Sequence, residues 1–301
     1  MNGMTQRKPS DRRSFLTQTL GWSGGMMLLG SSSVLANELE RGYGPDMDAF
    51  EDYGCPPGGL SPMELEEAVA GLGKRDRFPR TISLTFDDGP SPRYTGRILD
   101  VLAETGLKGT FFVVGKRAAR WPSLIRRMVE EGHRLGNHTW SHPNLGELSG
   151  RQIHEELNQT RDAVFDALGY EVDMRLIRPP YGAPYFGPAN QAWRNRRMAK
   201  DSAVLHERGE LCILWQMASG DTMVGGTPAQ ILYKVSRQLR RSAGGVMVMH
   251  PRNGRVGPVF ARVARRIKES GFEERSLEEL LEIKYGTSLD HITTLPIDPS
   301  A

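Results

Sequence analysis

From residue 80 onward the chain alternates short apolar runs with longer amphipathic stretches. The runs are Thr81 to Phe86, Gly109 to Val114, His133 to Asn137, Arg175 to Arg178, Leu211 to Met217 and Gly245 to Met249, each of strand length. Between them, Arg93 to Glu104, Pro122 to Glu131, Gly150 to Leu168, Ala189 to Gly209 and Pro228 to Ser242 read as helices, and a helix from Leu277 to Ile283 closes the domain. Parallel neighbours need a crossover connection, so strands alternating with helices predict a parallel sheet of the α/β class. Six or more such units in about 200 residues suit a closed or nearly closed barrel, with a doubly wound open sheet as the alternative.

The chain before residue 80 lacks this alternation. Residues 1–36 run from a polar, basic start through Asp11-Arg12-Arg13-Ser14-Phe15-Leu16 into a weakly apolar stretch ending Val34-Leu35-Ala36, the order of a twin-arginine export signal. Release into the periplasm or medium by the Tat machinery is expected. Gly and Ser interrupt the apolar run, so no stable membrane span is expected after cleavage. Residues 37–79 read as an acidic, Gly/Pro-rich linker or lead-in, with a short helix from Ser61-Pro62 to Leu72. Residues 80–285 are expected to form the folded domain, and residues 286–301 a loose C-terminal tail.

Composition supports this division. Of 301 residues, 38% are hydrophobic and 25% charged, as in a soluble globular protein. The net charge of +3 arises within residues 1–36; without them 35 basic face 35 acidic side chains, which argues against nucleic acid as a partner. Residues 222–268 nonetheless hold ten Lys or Arg and no acid, most of them read as solvated helix faces. Cys55 and Cys212 lie in a Gly/Pro-rich lead-in and a predicted buried strand, and pairing between them is not favoured.

Functional side chains of α/β folds collect where strands end. The first run ends in Asp87-Asp88-Gly89-Pro90; turning through Gly89, one carboxylate can bind a cation while the other faces a reacting water. A turn with a helix cap is the structural alternative. The third run ends in His138-Thr139-Trp140-Ser141-His142, an i, i+4 imidazole pair that one face of a single turn would present to one ion. Asp88, His138 and His142 would then leave an open position, as in catalytic zinc sites, although the same donors also suit nonheme iron. Arg178-Pro179-Pro180-Tyr181-Gly182 supplies a cation to orient a carboxylate and, after two prolines, the Tyr181 N–H as a candidate oxyanion donor. His250, ending the last run, is placed as a proton donor or as a structural histidine.

Thr85-Phe86-Asp87-Asp88-Gly89, the His138–His142 segment and Arg178-Pro179-Pro180-Tyr181-Gly182, in this order, resemble the polysaccharide deacetylase family, also called NodB-type or carbohydrate esterase family four. The resemblance covers about residues 80 to 283. It implies a distorted, partly open (β/α) barrel, Asp87 as general base, Asp88, His138 and His142 as ligands, usually of zinc, and His250 as general acid. The implied partner is an acetylated polysaccharide.

Two departures stand out. The family's fourth motif, Asp-x-x-Asp-Trp, is here Ala218-Ser219-Gly220-Asp221-Thr222, without its first Asp and its Trp. Asp221 remains and matches the residue expected to orient His250. Arg252 and Arg255, just beyond His250, are expected to contact carboxylates of an anionic polymer. A noncatalytic carbohydrate-binding domain and an amide or O-acetyl ester hydrolase on the same site are the competing readings.

Overall fold

The computed structural model describes residues 71–292 apart from 74–75, 186–190, 224–225, 242–243 and 252–254. The export stretch, Cys55 and Arg252 lie outside the described residues. The strands are β1 (Gly71–Leu72), β2 (Thr81–Gly89), β3 (Thr110–Val113), β4 (Arg134–Asn137), β5 (Leu176–Ile177), β6 (Leu211–Ile213), β7 (Met217–Ala218), β8 (Gly244–Met249) and β9 (Glu273–Glu274). The helices are α1 (Thr95–Thr105), α2 (Gly115–Arg120), α3 (Pro122–Glu130), α4 (Gly150–Leu168), α5 (Gln191–Glu207), α6 (Pro228–Arg241), α7 (Val256–Glu269), α8 (Leu277–Tyr285) and α9 (Leu289–Ile292).

All strand pairs are parallel, in the order β1-β6-β5-β4-β3-β2-β8-β7, with β9 against the start of β2. This is the parallel sheet that the alternation predicts, curled into the partly open (β/α) barrel that the resemblance implies. Every strand being parallel, their C-terminal ends share one rim, which carries the candidate chemistry.

The central strand β2 is buried at every position but Asp88. Its period of two sends Ile82, Leu84 and Phe86 to the side packed by α1 and α7, where they join Ile98, Leu99, Val259 and Phe260. Phe86 stacks on Phe111 with ring centroids 4.8 Å apart. Each such side chain contributes about 1.5–3 kcal/mol on burial. The alternate positions Thr81, Ser83, Thr85 and Asp87 are buried and polar. Two helices carry the terminal signals expected of them: α4 opens on a Ser149/Gln152 capping box and α8 on a Ser276/Glu279 box.

The predicted strand Leu211 to Met217 is not one strand. It divides into β6 and β7, which occupy distant places in the sheet, and Leu214–Gln216 spans the gap between its edges. Leu214 N–H donates to Leu72 O, whereas Gln216 N–H donates to Val246 O on β8. The Gln216 amide completes the crossing by donating to Gly73 O and accepting from Val246 N–H. Gly245 is required beneath it: at φ 119 a Cβ there would lie 2.4 Å from Gln216 Oε1.

Three further differences concern the edges. Gly71–Leu72, within the stretch read as lead-in and helix, forms β1 on β6. The tail read as loose over residues 286–301 instead carries α9 near its start, whose Leu289 and Ile292 are buried in a cluster with Leu277, Leu280 and Leu281. The six-residue helix α2 was not foreseen, being too short to show an apolar period. No helix among the described residues is long and apolar enough to cross a membrane.

Candidate active site

Asp87 and Asp88 diverge because the ladder between β2 and β3 shifts register between Asp87 and Gly89. Asp88 takes φ 66 at this bulge, while Gly89, expected to make the turn, remains in the strand opposite Val113. Asp87 therefore keeps the inward direction of β2 and is 2% exposed, and Asp88 is re-aimed.

Inside the barrel, Arg178 Nη1 lies 2.7 Å from Asp87 Oδ1 and also donates to Thr85 Oγ1. Its Nε donates to Ile213 O, and its guanidinium carbon stands 4.2 Å from the Phe112 ring centre. Full burial pulls the Arg178 pKa down, and the Asp87 carboxylate opposes that fall. An arginine so enclosed is tolerated only because its donors are matched.

Asp88 Oδ1 lies 2.8 Å from His142 Nε2 and 3.4 Å from His138 Nε2. Burial opposes its charge, but hydrogen bonds from His138 and His142 and the charge of His138 and His250 hold the carboxyl far below the usual range. His138 Nδ1 is 2.6 Å from the carbonyl oxygen of Arg178. A carbonyl has no proton to give, so Nδ1 donates; in the neutral ring this leaves the Nε2 lone pair for a cation, and in the protonated ring Nε2–H donates to Asp88. One carboxylate oxygen and two imidazole nitrogens, mutually within 4.8 Å, fit a divalent cation such as zinc with positions left open.

The two histidines do not share a helical turn, contrary to the i, i+4 expectation. Their segment is irregular, with Thr139 at φ 67 and His142 at φ 65. Asn137 Oδ1 accepts from Thr139 N–H and Thr139 Oγ1 accepts from His142 N–H, so local side chains replace the helical ladder. Asp88, Thr139, His142 and Tyr181 are four of the five non-glycine residues with positive φ among those described. Backbone strain is thus concentrated at this rim.

On the opposite side of the rim, Asp221 holds His250 twice: its Oδ2 accepts from His250 N–H at 2.7 Å and its Oδ1 lies 3.1 Å from Nδ1. Burial would lower the His250 pKa, but the charge and hydrogen bond of Asp221, with Asp87 and Asp88 behind them, push it up to about 9. Burial likewise opposes ionisation of Asp221, yet His250 and the Ser219 hydroxyl hold its carboxyl below the usual range.

Tyr181, at φ 62, projects its 53% exposed side chain beside the His142 ring, with centroids 4.8 Å apart. In place of the missing motif residues, Ala218 has its N–H and C=O held by the side-chain amide of Gln238 on α6. Ser219 Oγ donates to Asp221 Oδ1 at 2.7 Å. Arg255 Nη1 donates to Asp221 O and Met223 O, so its guanidinium latches this loop. Ser219, two residues before Asp221, is a legible turn signal; Gln238 and Arg255 leave no such signal.

The family model described as polysaccharide deacetylase matches residues 74–197. The peptidoglycan-N-acetylglucosamine deacetylase of Listeria monocytogenes is 31% identical over 70% of this chain and 40% of its own. The chain thus spans about two fifths of the first curated relatives it matches. A solved family 4 carbohydrate esterase from Streptomyces lividans, in complex with acetate, is 31% identical, with TM-score 0.52 over 65% of this chain and 91% of its own. The solved peptidoglycan deacetylase PdaC from Bacillus subtilis is 28% identical, with TM-score 0.55 over 71% and 95%.

Proposed function

The chain belongs to the polysaccharide deacetylase family, and on that premise we propose that it hydrolyses acetyl groups from N-acetylated sugars of an extracytoplasmic polysaccharide, peptidoglycan or exopolysaccharide being favoured. The observation that carries the reading is the bulge at Asp88, which gives adjacent carboxylates separate tasks: Asp88 joins His138 and His142, and Asp87 joins Arg178.

Asp88, His138 and His142 would hold the cation. When bound it supplies Lewis acidity to the acetyl carbonyl and to water. Asp87, ionised and aligned by Arg178, takes a proton from the water that attacks the acetyl carbon. The Tyr181 N–H faces the developing oxyanion. His250, whose Nδ1 is tied to Asp221, donates from Nε2 to the sugar nitrogen as the carbon–nitrogen bond breaks, leaving acetate and an amine.

Zinc is the favoured metal because it is the usual one of the family that the motifs resemble, and one carboxylate with two imidazoles accommodates it. The periplasmic or secreted location rests on the twin-arginine pattern at Arg12-Arg13.

Acetate release from N-acetylglucosamine oligomers, peptidoglycan and acetylated exopolysaccharide, after chelation and again after zinc return, tests the reading. Zinc-restored activity that Asp87→Asn abolishes is expected. Wild-type inactivity on every polymer despite bound zinc would replace it with a carbohydrate-binding role.

A further inference from the structure

The segment that carries two of the three proposed ligands is tied over its first half to the start of α2, where Gly115 N–H donates to Thr139 O and Lys116 N–H to Trp140 O, and has fewer partners toward His142. His138 and His142 are four residues apart, and between and at them the backbone twice enters the left-handed region, at Thr139 and His142. Thr139 is β-branched, for which that conformation is unfavourable. Something outside the segment must hold it.

Helix α4 does so at two successive residues. Leu157 O accepts from Asn137 Nδ2 at 2.9 Å, which anchors the segment's start. Glu156 anchors its middle: one carboxylate oxygen accepts from Ser141 N–H and the other from Ser141 Oγ, both at 2.7 Å. Ser141 immediately precedes His142. The Glu156 main chain is itself fixed, since its carbonyl accepts from Thr160 Oγ1.

We infer that Glu156 is a positioning residue for the metal-binding loop, its two-oxygen grip on Ser141 setting where His142 Nε2 stands relative to Asp88 and His138. Three features distinguish this from ordinary surface pairing. Both carboxylate oxygens are committed to one residue, and no Lys or Arg partner is seen for Glu156 among the described residues. The gripped residue lies between the two ligands. The backbone on either side is strained, so a segment released from Glu156 has a more favourable conformation to relax into. Partners that orient metal ligands typically change metal affinity 10–100-fold when removed.

The inference rests on the metal reading above, and the experiment separates the two. Zinc affinity is measured on the full chain by competition with a chromophoric chelator, and the cobalt-substituted protein is compared by visible absorption. Glu156→Ala is expected to weaken zinc at least tenfold and to alter the cobalt bands. Glu156→Gln, which can still accept from Ser141 N–H and donate to its hydroxyl, should stay within about threefold of wild type, as rescue by shape requires. If Glu156→Ala fails to fold, Ser141→Ala, which removes only the hydroxyl contact, should weaken zinc about threefold.

Unchanged affinity and unchanged cobalt bands in Glu156→Ala, or in Ser141→Ala where that variant stands in for it, would overturn the inference while leaving the metal site intact. Equal losses in Glu156→Gln and Glu156→Ala would overturn it too, because charge rather than grip would then matter. A wild-type chain that binds no zinc would overturn the site and the inference together.

Discussion

The Arg178 carbonyl accepts the Nδ1 proton of His138 at 2.6 Å, while the Arg178 side chain pairs with Asp87 at 2.7 Å. One residue thus sets the tautomer of a candidate ligand through its backbone and the direction of the candidate base through its guanidinium. The two cannot be displaced independently.

Replacing Arg178 with Met is therefore expected to strand the buried Asp87 charge and to cost about 3–5 kcal/mol of stability. Denaturant unfolding of Arg178→Met beside wild type checks this. A loss under about 1 kcal/mol would mean that the pair is not enclosed as described.

Chelation should abolish acetate release, and zinc at one hundred times its dissociation constant should stabilise the folded chain by about 2.7 kcal/mol. Thermal unfolding with and without zinc reads this directly. Asp88→Asn should lose most of the response.

His250, with its pKa raised to about 9, remains protonated at neutral pH. A proton donor of this kind fails as pH rises through about 9, so the proposed activity should show an alkaline limb there. Stability from the Asp221 pair is complete below the ordinary histidine pKa of about 6.5 and is lost as pH rises through about 9. Asp221→Asn should bring the imidazole titration of the metal-free protein, followed by NMR, toward 6.5. An unmoved titration would remove Asp221 from this role.

His133 works with the opposite sign. Burial first, then the charge of Lys108, against a weaker pull from Glu131, lowers its pKa to about 4, and its ring packs against Phe111. Between about 6.5 and 4 the unfolded chain binds the proton that the folded chain refuses, so stability falls with pH across that window. The loss reaches about 2 kcal/mol by pH 5. Melting curves at pH 7 and pH 5 should show a smaller drop for His133→Leu than for wild type.

Arg255→Ala should lower kcat about tenfold on neutral and anionic oligosaccharides alike, because the side chain holds the Asp221 loop. A loss confined to anionic substrates, seen in KM, would favour the reading of Arg255 as a polymer contact.

Much of the candidate site was legible in the order of residues. Asp87, Asp88, His138, His142, Arg178 and His250 all fall at or just beyond strand ends, and a parallel sheet brings such ends to one rim. Asp221 stood out as the remaining acid of a weakened motif, and the structure places it against His250. The i, i+4 spacing of the histidines pointed to convergence but to the wrong local geometry, since Asn137 and Thr139 offer the backbone alternatives to a helix.

Strand and helix periodicity, together with three short motifs, was enough by itself to determine the class of fold and to single out the candidate metal donors and the candidate base with its partner. Local patterns record what the residues of one segment must do. Only the tertiary structure decided that Leu211 to Met217 divides to span the barrel's gap, that Gln238 holds Ala218, that Arg255 latches a loop and that Glu156 grips Ser141. Each of the last three contacts joins residues well separated in sequence through a single polar side chain, and one side chain imposes no period on the chain for a reader to find.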